Sequence, residues 1–187
     1  MTVIETRPIA MRPTDAPCAS TASEPTVVAG PFGQLLIRPA LPDDAEPLGA
    51  MHTRCSLDTR IARWHAPIRA IPASYLSEVT GCRPSHAAVV AARSGTPGEI
   101  IGLASACLVS PDAWELGMLV EDAFQRQGVG RAMLSALVDE VVRRGGRELL
   151  AVSLDERRTV LHGLHELGPV TLSSRSSTVT AHVLLQP

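Results

Sequence analysis

Two rhythms of apolar residues divide the chain. Short, nearly unbroken apolar runs fall at residues 34–38 (QLLIR), 86–92 (HAAVVAA), 100–109 (IIGLASACLV), 115–120 (ELGMLV) and 148–154 (ELLAVSL). They are too short for stable helices and predict largely buried strands. The turn composition of Ser94-Gly95-Thr96-Pro97-Gly98 makes an antiparallel pair of 86–92 and 100–109, and residues 170–185 predict a last hairpin turning through 173–177. From Arg131 the spacing changes. Leu134, Leu137, Val138 and Val141 recur every three or four positions, with Arg131, Ser135, Asp139 and Arg143 on the other side, the pattern of an amphipathic helix. Arg143 and Arg144 favour the negative end of its dipole, and Gly145-Gly146 supply a left-handed cap. Pro42-Asp43-Asp44 starts another helix running to about Cys55, Pro67 and Pro72 break shorter ones near 57–63 and 73–79, and Gly168-Pro169 closes one at 157–167. The order β, helices, β-β-β, α, β, α, β-β predicts one α+β domain with a mixed sheet.

Residues 1–31 follow neither rhythm. They are rich in Pro, Thr, Ala and Ser, and a loosely ordered leader is expected ahead of a domain spanning 32–187. A length of 187 residues with 45% hydrophobic content suits one ordinary core. The formal net charge of −2 gives no sign of a nucleic-acid or membrane-surface partner. Two Trp, two Phe and one Tyr leave the core to Leu, Val, Ile and Ala, with little material for base stacking. Cys18, Cys55, Cys82 and Cys107 are scattered without a CxxC pair, which argues against a zinc or redox motif. No window nears the roughly 20 apolar residues of a membrane span, and the amino terminus lacks the apolar stretch of a signal peptide, so a cytoplasmic location is expected.

Candidate chemistry concentrates between the 115–120 run and the long helix, where Gln125-Arg126-Gln127-Gly128-Val129-Gly130-Arg131 places two glycines at a helix start. The first N–H groups of a helix have no partner within it and point outward. Glycine lets an anion approach them without meeting a Cβ, and the dipole adds roughly 0.3–1 kcal/mol per anionic group. Residues 127–132 are therefore a candidate pyrophosphate cradle built mainly from main chain; the same glycines equally serve a plain loop-to-helix turn. A Walker loop needs a lysine, and the chain has none. A dinucleotide GxGxxG beginning at Gly128 would meet Met133 where a small residue belongs, and seven residues separate it from Val120.

The form that remains is Q/R-x-x-G-x-G/A. With an acidic residue early in the preceding strand, QRQGVGRAML across the turn, and RRGGR closing the helix before another apolar strand, it resembles the GCN5-related N-acetyltransferase (GNAT) family. The stretch RPALPDDAEPL after the first strand is similar to the family's usual opening, and HTRCSLDTRIARWH, residues 52–65, resembles a segment of bacterial members related to protein-lysine acetyltransferases. The resemblance implies a mixed, mostly antiparallel sheet flanked by helices, splayed between the 115–120 and 148–154 strands to admit the pantetheine arm of acetyl-CoA. It implies that main-chain groups of Met118, Leu119 and Val120 bind that arm like an added strand, with one N–H near Leu119 or Val120 on the thioester carbonyl. Gln125, Arg126, Gln127, Gly128, Val129, Gly130 and Arg131 would hold the pyrophosphate. The implied partners are acetyl-CoA and an amine acceptor, with no metal, and a homodimer is common in the family.

A lysine-like amine is protonated at neutral pH and must lose a proton before attack. Glu115, five residues ahead of Val120, matches the family's strand glutamate, and half-burial in a strand would raise its basicity for that task. Pairing with a neighbouring arginine, or simple exposure, is the other reading of Glu115. The asparagine of many members falls here at Glu156 or Arg157, and their tyrosine falls near Leu164, while Tyr75 is the lone tyrosine. No side-chain acid for the departing thiolate is therefore evident. His162 and His165 either face solvent or substitute for it; lacking a third ligand, they make no metal site. Arg54, Arg60, Arg63, His65 and Arg69 form either a solvated helix face or an attraction for an acidic acceptor. Protein lysine, small amine, aminoglycoside and amino acid all stay open as acceptors, and a silent acyl-CoA-binding or sensory domain is the contrasting reading.

Overall fold

The computed structural model describes residues 24–31, 33–96, 98–154 and 163–186. Its strands are β1 (Thr26–Gly30), β2 (Gly33–Pro39), β3 (His86–Arg93), β4 (Ile100–Leu108), β5 (Ala113–Val120), β6 (Glu148–Leu154), β7 (Val170–Arg175) and β8 (Thr178–Leu184). They form one sheet in the order β1-β2-β3-β4-β5-β6-β8-β7, antiparallel throughout except for the parallel pair β5–β6. Helices α1 (Ala45–Arg54), α2 (Leu57–Trp64) and α3 (Ala73–Thr80) lie between β2 and β3, and α4 (Val129–Arg143) lies between β5 and β6. Parallel neighbours cannot be joined by a tight turn, and α4 is the crossover that joins these two. This is the α+β architecture expected from the sequence.

Helix α4 packs on one face of the sheet. Met133, Leu137 and Val141 are fully buried against Leu35, Val89, Ile101, Trp114 and Leu149, while Arg131, Ser135, Asp139 and Arg143 are all exposed. Each fully buried side chain of this kind contributes about 1.5–3 kcal/mol. The helix opens at Val129, two residues earlier than the apolar stripe suggests, because Gly128 at φ 90° turns the chain into it. On the opposite face α1 and α3 close a second core with Leu48, Met51, Val79, Val90, Leu103 and Leu119. Beyond β5 that face is partly open, and Leu150, Val152 and His182 remain part exposed.

Two expectations shift. Thr26–Gly30, inside the stretch expected as leader, pairs with β2 from Thr26↔Ile37 to Gly30↔Gly33. One Val-Val pair without alternation carries no periodic signal, so this edge strand is visible only beside its partner. Residues 1–23 lie outside the described residues. Of the helix expected at 157–167, residues 163–166 form a 3-10 turn, and Glu156, Arg157 and His162 lie outside the described residues.

Asp44 ties β2 to the start of α1. Its buried carboxylate accepts from Arg38 Nη1 and Nη2 at 2.6 and 2.7 Å and from Leu41 N at 2.8 Å. Hydrogen bonds to a charged group are worth about 1.5–3 kcal/mol. Asp44→Ala is therefore expected to lower the unfolding free energy by at least that range in chemical denaturation. His52 of α1 is fully buried, edge-on to Trp64 with ring centroids 6.3 Å apart, and neither ring nitrogen has a partner among the described residues. Burial, then the charge of Arg60, pushes its pKa below the usual histidine value. The folded state thus holds a neutral ring, whereas the unfolded chain takes up a proton below about pH 6.5. The stability His52 confers is full above that value and falls as the pH drops beneath it. His52→Leu is expected to flatten the acid slope of the denaturation midpoint between about pH 6.5 and 5. The part due to His86, also lowered by burial, would persist.

Candidate active site

Strands β5 and β6 pair from Ala113↔Glu148 to Leu116↔Ala151 and no further, although β5 continues to Val120 and β6 to Leu154. Between the parted strands opens a cleft of about 760 Å³. Its walls are residues 116–120 of β5, Ala151, Val152 and Ser153 of β6, and Thr59, Ala62 and Arg63 of α2. Glu121 N donates to Ile101 O at 2.9 Å, so the backbone at 121 faces β4. Successive residues of a strand alternate, and Met118 and Val120 accordingly turn their N–H and C=O towards the side where β6 has left. Gln125 Nε2 donates to Val120 O at 2.9 Å, which among the described residues leaves Met118 N, Met118 O and Val120 N as an open strand edge.

At its other end the cleft meets the start of α4. Arg126 (φ 57°) and Gly128 (φ 90°) are both left-handed and curl the loop there. Gly128 O accepts from Ala132 N at 3.0 Å, while no described residue accepts from the amides of residues 127–131. An array of unpaired amides at a helix start is an anion site. Of the expected cofactor residues, Met118, Leu119, Val120, Gln125, Arg126, Gly130 and Arg131 line the cleft; Gln127, Gly128 and Val129 do not. Val129 packs its side chain in the core and can offer only its amide. Gln127 Nε2 turns back to Ala123 O (2.7 Å), and Arg131 pairs with Glu166 at 2.9 Å on the rim.

The loop is clasped to α2. Asp122 accepts from Ser56 N (2.8 Å), Ser56 Oγ (2.6 Å) and Thr59 Oγ1 (2.7 Å), and Gln125 Nε2 donates to Thr59 Oγ1 at 3.0 Å. Ser56 Oγ in turn caps α2 by accepting from Thr59 N. Burial pulls the Asp122 carboxyl up, but the bonds from Ser56 and Thr59 outweigh it and hold it below the usual value.

Glu115 shares a face of β5 with Gly117 and Leu119 and lies opposite Cys107. It is exposed rather than half-buried as expected, because the face of β6 beside it is partly open. It forms no ion pair among the described residues. Burial, then the charges of Glu115 and Glu78, raises the neighbouring Cys107 thiol's pKa.

Over Gly117 lies the guanidinium of Arg63, so close that a Cβ at 117 would overlap it. Arg63 Nη2 donates to Tyr75 Oη (2.7 Å), Tyr75 Oη is 2.6 Å from Ser105 Oγ, and Ser105 Oγ donates weakly to Gly117 O (3.4 Å). Sequence reasoning had Arg63 as one of five cations and Tyr75 as a misplaced tyrosine, and it missed Ser105. Positions 63, 75 and 105 share no spacing that could have joined them. Among the other cations, Arg54 pairs with Glu121 (2.9 Å) and donates to Ile100 O (2.7 Å), and His65 and Arg69 are exposed. Of the family's expected acid positions, Leu164 is buried on the cleft wall and His165 is exposed.

Among the described residues no His, Cys, Asp and Glu side chains gather as a metal site, and no helix is long and apolar enough to cross a membrane. No curated protein matches the chain at a significant level. In fold it is similar to the GNAT domain of S. lividans PAT (TM-score 0.76, 22% identity, covering 86% of this chain and 97% of that one). It is also similar to yncA, a putative acetyltransferase from Salmonella typhimurium solved with its cofactor acetyl-CoA (0.63, 20%, covering 82% and 95%). A cAMP-binding acyltransferase from Mycobacterium smegmatis matches at TM-score 0.59 and 22% identity over 87% of this chain, which spans only 48% of that protein. The model of the acetyltransferase (GNAT) family matches residues 56–168, from the cap of α2 through the cleft to the turn before β7. That match takes in both walls of the cleft and more than half of the chain, and the protein belongs to the acetyltransferase (GNAT) family.

Proposed function

We propose that this protein moves an acetyl group from acetyl-CoA to a primary amine by direct attack in a ternary complex. The observation that carries this reading is the open edge of β5 leading to unpaired amides at α4. The pantetheine arm is an extended chain of amides and adds to Met118 and Val120 as a further strand. The pyrophosphate meets the amides of residues 127–131, with Arg126 beside them. Val120 N is the donor on the cleft side for the thioester carbonyl, since Leu119 N faces β4. The acetyl-CoA bound to the Salmonella neighbour supports the choice of donor.

In the reaction the amine nitrogen attacks the carbonyl carbon, and negative charge grows on an oxygen held by that N–H. The C–N bond forms, the C–S bond breaks, the thiolate of coenzyme A leaves and the nitrogen gives up its second proton to water. Before attack the acceptor ammonium gives its proton to Glu115, which stands two residues along β5 from Gly117, roughly 7 Å at strand spacing. Because Glu115 is exposed, position and water access serve it in place of burial. The Tyr75 hydroxyl accepts from Arg63 and is directed at Ser105, so the thiolate takes its proton from solvent.

Calorimetry is expected to show acetyl-CoA binding equally to wild type and Glu115→Gln. Coenzyme A release with an amine panel should fall about 10²–10⁴-fold in the variant, the usual loss of a general base. Turnover unchanged across pH would rule out the base assignment, and acetyl-CoA binding without turnover on any amine would favour a sensory domain instead.

A further inference from the structure

We propose that Arg63 anchors a carboxylate of the acceptor, so that the amine acetylated belongs to a small amino-acid-like molecule. This rests on the reading of the cleft as an acetyl-CoA site. A guanidinium carries five N–H donors. One goes to Tyr75 Oη, and among the described residues the others have no acceptor and no carboxylate lies within ion-pair distance. Arg38, Arg54, Arg93 and Arg131 find carboxylates, whereas Arg60, Arg63 and Arg126 pair with none among the described residues; of these three, Arg63 is the part-buried one that lines the cleft. It is also held in place. Its central carbon lies 4.3 Å from the Trp64 ring centroid and 5.3 Å from that of Tyr75, and Tyr75 is braced by Ser105. On the remaining side only a glycine gives it room.

A planar fork fixed against two aromatic rings matches a carboxylate, which accepts two parallel N–H bonds. The donor's phosphates do not compete, since the unpaired amides that suit them are at the α4 end. Gly117 adjoins Met118, whose backbone opens onto the cleft, so an anion on Arg63 lies beside the donor's edge. Carboxylate and attacking amine must then be a few bonds apart. That geometry suits α-, β- or γ-amino acids and not a protein lysine, whose own carboxyl is spent in a peptide bond.

The test has two readouts on the full chain. With coenzyme A bound, the Arg63 Nε–H resonance, identified by its loss in Arg63→Lys, is expected to shift saturably with acetate and not with acetamide. In turnover, glycine, β-alanine and γ-aminobutyrate are compared with their carboxamides. The acids are expected to have kcat/KM higher by roughly 10–100-fold, the worth of a charged bidentate contact. Arg63→Met should bring each acid down to its amide. Gly117→Ala, which pushes the guanidinium aside while keeping the arginine, should do the same. If acetate and acetamide act alike, the anion site is overturned and the transferase reading stands. If acetate binds but the amides react as well as the acids, the acceptor class is overturned. If acetate binds, acetyl-CoA binds and neither series is acetylated, the transferase reading falls and takes the acceptor assignment with it.

Discussion

Backbone groups removed from water need partners, and the arrangement of this protein follows from where that demand is left unmet. Strand β5 is bonded on one side to β4 along its length, but on the other only as far as Leu116. How long the open portion is depends on where β6 starts. Gly146 settles that point: it is wedged so tightly between Val141 and Trp114 that no side chain fits, which locks the end of α4 to the base of β5. The glycine in the turn, the indole in the core and the gap in the sheet are thus one mechanical unit.

Two surfaces of opposite character meet at the gap. Towards α4 the surface is main chain, with N–H groups that cost no side-chain entropy to aim. Towards α2 it is side chain, a cation held against two rings and braced by hydroxyls. Main-chain recognition suits a partner of constant structure such as a nucleotide thioester, and side-chain recognition suits one that differs between relatives. Gly117 is where the two surfaces touch.

Much of the frame was legible in the sequence because it follows from local periodicity. The polar stripe 131, 135, 139 and 143 is the exposed side of α4, and the 148–154 run coincides with β6. Strand β1 was not legible, since an edge strand held by one hairpin partner needs no alternation of its own. The direction in which Leu119 and Val120 present their amides was also hidden, because it depends on which β4 residue bonds to Glu121. Glu115 could be placed on a strand, but its exposure depends on how far the helical layer reaches across the sheet. The Arg63, Tyr75 and Ser105 chain joins two helices and a strand, and only the folded molecule brings them together.

The clasp of Asp122 on Ser56 and Thr59 has a bearing on redesign. It fastens the first turn of α2 to the loop below the cleft and leaves the last turn, with Arg63 and Trp64, free of that duty. Residues 56–64 are therefore pinned at one end by Asp122 and at the other by Trp64 in the second core, with Arg63 facing the cleft between them. An engineer can vary position 63 while keeping the pin, so that the loop before α4 holds its place.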